Sequence, residues 1–90
     1  MIEAKVRGLV ERGASRKGIR DELGGIANAA EKRVKRFARG KKDQRHRAQE
    51  ERAIVERVGR ILFFLHHGTP ADSATAADHE LYDLLKKCPD

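Results

Sequence analysis

Ser15-Arg16-Lys17-Gly18-Ile19-Arg20-Asp21-Glu22-Leu23-Gly24-Gly25-Ile26-Ala27-Asn28-Ala29-Ala30-Glu31-Lys32-Arg33-Val34-Lys35-Arg36-Phe37-Ala38-Arg39 is the stretch on which the fold turns. Ser15 is a good helix N-cap, because its hydroxyl can accept from a backbone N–H one turn on. Ile19 and Leu23 would be the inward face of the helix that follows. Gly24-Gly25 then predicts a break, since glycine is a weak helix former and a frequent turn residue. Asn28 can cap a further helix, with Glu31 three residues on completing a capping-box pattern. Ala30, Val34 and Phe37 form that helix's apolar stripe, and Gly40 ends it. The stretch thus predicts two short helices joined at a glycine turn.

The rest of the chain carries helical periods as well. Ile2, Val6, Leu9 and Val10 repeat as one apolar stripe of a first helix, and Gly13 stands where it should stop. A longer helix is expected from about Asp43 to His67, with Val55, Val58, Leu62 and Leu65 as its stripe and Ile54 and Ile61 widening it. Lys41 to Arg47 is either a hinge or the start of that helix. Gly68 and Pro70 end it. Thr75-Ala76-Ala77-Asp78 is a second capping-box pattern, leading into Ala77, Leu81, Leu84 and Leu85, and Pro89 stops the last helix. No segment alternates with period two long enough for a strand. The expectation is a single all-α domain over residues 1–90, of about five helices. A basic trihelical unit would occupy residues 1–40, and a packing or partner half, the long helix and a short C-terminal helix, residues 41–90.

Charge divides the same chain. From Lys32 to Arg47, nine residues are Lys or Arg and only Asp43 is acidic, a net +8 within an overall +6. Residues 1–60 carry eighteen Lys/Arg against nine Asp/Glu, and residues 61–90 two against five. A basic stripe of this density is the electrostatic footprint of a nucleic-acid binder, because Lys and Arg displace counterions condensed on phosphates. Ninety residues allow one modest core. The single cysteine, Cys88, permits no intrachain disulfide and suits a reducing compartment, so a cytoplasmic location is expected. No apolar run has the length of a signal-peptide core or a membrane span.

Residues 15–39 resemble the helix-turn-helix of DNA-binding domains: a short helix, a tight glycine turn and a second helix, with the first helix of the chain in support. The resemblance implies that the helix after Gly25 lies in the major groove of duplex DNA. Asn28 and Lys32, near its start, would read base edges, and Lys32, Arg33, Lys35, Arg36 and Arg39 would form its basic outer surface. Lys41, Lys42, Arg45 and Arg47 would contact phosphates. RNA is the weaker candidate, since base-stacking readers need exposed aromatics and Phe37 belongs to the apolar stripe.

Ile61-Leu62-Phe63-Phe64-Leu65 covers more than half of a helix surface with apolar side chains. That favours a homodimer or another protein partner, with Val55, Leu62, Phe63 and Phe64 as its interface. No catalytic set is legible: Ser15, Ser73 and Cys88 each lack an identifiable base. His66 and His67 are adjacent and cannot clamp one ion as i, i+4 histidines do. Neither a cofactor nor a metal is expected. The leading expectation is a small DNA-binding regulator or DNA-handling factor of bacterial or phage type. The alternative is a protein-binding adaptor or inhibitor, such as a phage-encoded one, docking on a nucleic-acid-handling complex.

Overall fold

The computed structural model describes residues 2–89, apart from the side chain of Asp43. Among the described residues there are four helices and no strand: α1 (Ile2–Glu11), α2 (Arg16–Ala38), α3 (Lys42–His67) and α4 (Ala76–Leu85). The all-α expectation holds, and the number of helices is corrected from about five to four. The break expected at Gly24-Gly25 does not form. Neither glycine takes a positive φ, and Asn28 lies exposed inside α2 instead of capping a new helix.

The reason is phase. Ile19, Leu23, Ile26, Ala30, Val34 and Phe37 advance by three or four residues straight through the glycines, so one continuous stripe faces α3. Two helical glycines cost about 1 kcal/mol each relative to alanine. Breaking the stripe would forfeit the burial of Ile19, Leu23 and Ala30, all without exposed surface. Burying a single large aliphatic side chain returns ~1.5–3 kcal/mol. Packing wins over propensity.

Where the sequence signals agree with packing, they stand. Gly13, at φ 76°, ends α1. Ala14 N–H donates to the Leu9 carbonyl and Gly13 N–H to that of Val10, both at 3.0 Å, the paired bonds of a Schellman motif. Ser15 Oγ accepts from Gly18 N–H at 3.1 Å. Gly68, at φ 77°, closes α3 with its N–H on the Phe64 carbonyl. Thr75 and Asp78 form both bonds of the capping box that opens α4.

α2 and α3 are joined by Arg39-Gly40-Lys41 and pack as an antiparallel hairpin. Arg33 Nε stands 3.0 Å from Glu51 Oε2 across the hairpin, an ion pair without hydrogen-bond alignment. With its 26 residues, α3 is ~39 Å long at ~1.5 Å per residue. That is most of the molecule's 44 Å long axis. The core sits at the base of the hairpin, where Ile19, Leu23, Val58, Ile61 and Phe64 meet Ile2, Val6 and Leu9 of α1 and Leu81, Tyr82 and Leu85 of α4. Toward the tip the fully covered side chains shrink to Ala30 and Ala48, whose small size lets the two backbones approach. The expected basic and packing halves therefore share one hairpin.

One buried charge ties the base together. Asp78 has no exposed surface. It accepts from Arg60 Nε at 2.6 Å and from Thr75 N–H at 3.0 Å. Arg57 Nε stands 3.4 Å from its other oxygen, without hydrogen-bond alignment. Burial pushes the Asp78 carboxyl upward, but the Thr75 N–H and the Arg60 guanidinium more than offset it, and the group titrates below its ordinary value.

Candidate nucleic-acid interface

The hairpin converts a dense run of sequence into a tip. α2 approaches the turn carrying Lys32, Lys35, Arg36 and Arg39, and α3 leaves it carrying Lys42, Arg45 and Arg47, with Lys41 as its N-cap. All eight side chains are exposed, and none forms an ion pair with a described acidic side chain. Arg33 differs. It is half-buried and paired with Glu51 across the hairpin, so it is not among the free cations of the tip.

The spacing on α2 gives the site its shape. Asn28, Lys32, Lys35, Arg36 and Arg39 follow at helical intervals along one exposed side. From Asn28 to Arg39 this stripe is ~16 Å long at ~1.5 Å per residue. Arg36 rests over the Phe37 ring, 5.8 Å from its centroid, which steadies an otherwise free guanidinium. Phe37 itself is half-buried, as the apolar stripe implied.

A separate helix after Gly25 does not exist to be laid in a groove, so the site is a two-helix tip rather than a lone reading helix. B-DNA's major groove is ~12 Å wide and admits one helix. Two helices packed ~8–10 Å apart are too broad to enter it side by side. What the tip can do is straddle a groove edge and place cations on phosphates from both helices and the turn. Phosphate contact needs charge at the right spacing but no specific base edge.

Sequence reasoning missed Arg52, exposed on α3 beside Lys35 of α2. It stands outside the dense basic run, and its signal was the seven-residue spacing from Arg45.

The expected partner face is divided by the structure. Phe64 is corrected to core: it is 7% exposed and stacks on Tyr82, ring centroids 4.2 Å apart. Leu62 is half-buried and packs against the core. Val55 is half-buried in a groove between α2 and α3. Phe63 is 40% exposed, against the ring of His67. Among the described residues there is no group of three or more His, Cys, Asp or Glu that could hold a metal ion. No helix among the described residues is long and apolar enough to cross a membrane. Comparison with protein families, with curated proteins and with solved structures finds no match to this chain.

Proposed function

We propose that this chain binds nucleic acid, duplex DNA in the first place, through phosphate contacts made by the tip of the α2–α3 hairpin. The observation that carries the reading is the convergence of eight exposed Lys and Arg side chains, unpaired with any described acidic side chain, on two helix ends and the turn between them. A cluster of fixed cations that repel one another is unfavourable in the free protein and is relieved by a polyanion. The outer stripe of α2, from Asn28 to Arg39, is the part best placed for contact with base edges. Lys41, Lys42, Arg45 and Arg47 grip the backbone. On this reading the protein acts as a small regulator or DNA-handling factor of the bacterial or phage type.

The test is a titration of duplex DNA at several salt concentrations. If about five phosphates are neutralised, log K falls against log salt with a slope of roughly −4 to −5. Single-stranded DNA and duplex RNA, run alongside, identify the preferred form. Failure to bind any of them at low salt ends the proposal, and the basic tip then belongs to an adaptor that docks on an acidic protein surface.

A further inference from the structure

We infer that the side of the α2–α3 hairpin bearing Val34 and Val55 seats a second copy of this chain, packed antiparallel, with Lys35 and Arg52 of each chain set against Glu31 and Glu56 of the other. Val34 and Val55, both half-buried, floor a groove of about 280 Å³ on this side, and those four charged residues rim it. Glu56 also borders a neighbouring hollow of about 490 Å³ lined by Gly59, Arg60, Phe63, Ala71 and Ser73. The open surface thus runs from Val34 and Val55, past Glu56 and Arg60, to the exposed ring of Phe63. The space above Gly59 is open, with no atom within 4 Å of where a Cβ would stand. An uncovered apolar strip rimmed by charge is the ordinary form of an association surface.

The arrangement of the rim selects the occupant. On α2 the acid Glu31 lies toward the base of the hairpin and Lys35 lies one turn nearer the tip. On α3, which runs the other way, Glu56 again lies toward the base and Arg52 one turn nearer the tip. Both rims therefore read acid then base in the same spatial direction. A half-turn about an axis across the hairpin lays α2 on α2 and α3 on α3, each pair antiparallel. Every acid then meets a base, and one geometry supplies four ion pairs, as a self-complementary two-fold interface requires. None of these four side chains forms an ion pair within its own chain among the described residues. Packing with both tips together would instead set two +8 stretches side by side. A strongly acidic partner would meet Glu31 and Glu56. Lys35 borders both this groove and the basic tip, so the two surfaces share that one side chain, while the other tip cations lie outside the groove's rim.

The experiment is sedimentation equilibrium of the full chain from about 1 to 200 µM, with Arg52→Glu and Glu56→Arg run separately and mixed. Both positions are exposed, and circular dichroism checks that both variants remain folded. The wild type is expected to dimerise within this range. Each variant alone brings like charges together on the α3 rim and should dissociate about tenfold or more weakly. The equimolar mixture restores opposite charges and should recover association as a heterodimer. Val55→Asp should be monomeric while retaining salt-dependent DNA binding by its single tip. A wild type that stays monomeric throughout, variants that dimerise like the wild type, or a mixture that fails to recover would each overturn the inference.

Discussion

Replacing Gly24 and Gly25 by alanine, singly and together, should stabilise the protein. In α2 both residues lie in the helix interior without a positive φ. A Cβ built on either meets no atom within 4 Å. Alanine therefore introduces no clash, and it removes conformational freedom that the unfolded chain must otherwise surrender. The helix-interior difference between glycine and alanine is ~0.5–1 kcal/mol. The double variant should then gain about 1–2 kcal/mol, because both sites contribute through backbone entropy and share no side-chain partner. For a domain of this size, 1 kcal/mol moves the melting temperature by ~4–8 °C. Urea unfolding gives the free energy directly, and an unchanged m-value would show that the surface exposed on unfolding is the same. The measurement belongs at the lowest workable concentration, so that self-association does not enter. Destabilisation by either alanine would refute the reasoning, because a residue needed at a turn with positive φ loses stability when a Cβ is added.

The remaining predictions concern the buried charge, the two phenylalanines and the basic tip. Asp78→Asn removes the anion between Arg57 and Arg60, and breaking a buried pair typically costs ~3–5 kcal/mol. Both arginine side chains are partly exposed, so a loss of about 2–3 kcal/mol at pH 7 is expected, read as a lower urea midpoint. Because the folded Asp78 carboxyl titrates below its ordinary 3.8, its contribution is complete above that value and is lost as pH falls through the lower folded one. Wild type and variant should accordingly converge only in strong acid, and a constant gap down to pH 2 would count against the assignment. Phe64→Glu should unfold the protein at room temperature, because it buries a charge against Tyr82, whereas Phe63→Glu should fold with a change under about 1 kcal/mol. In DNA titrations, Lys41→Ala, Lys42→Ala, Arg45→Ala and Arg47→Ala should weaken all duplexes alike and reduce the salt slope by about 1 each. Lys32→Ala and Arg36→Ala should also alter preference between duplexes, and unchanged preference would remove the outer stripe of α2 from any reading role.

Much of the architecture could be read locally. Ser15, Gly13, Gly68 and the Thr75–Asp78 box each act over one helical turn, through their own backbone or the next few N–H groups, so their residue types alone place helix ends. The +8 run from Lys32 to Arg47 likewise marks a strongly basic stretch before any fold is known, because charge is set by residue type. Gly24-Gly25 shows the limit of local reading. Its intrinsic preference for a break is worth about 2 kcal/mol over the pair, and a partner helix that continues the apolar stripe outweighs it. That partner lies some thirty residues further along the chain.

The amino-acid sequence by itself determined that the chain is helical, where most of the helices begin and end, and which stretch carries the densest positive charge. Only the tertiary structure decided how these parts are arranged. Pairing α2 with α3 gathered one linear basic run onto a projecting tip, with cations on two helices and a turn. It sent Phe64 inward onto Tyr82 and left its neighbour Phe63 outside, because successive helical residues point about 100° apart and only one can face α4. It also enclosed Asp78 between Arg57 and Arg60, a contact between α3 and α4 that no spacing within α4 could announce. Caps, periodicity and charge are set by near neighbours along the chain. Burial is set by whichever distant surface arrives to cover a side chain.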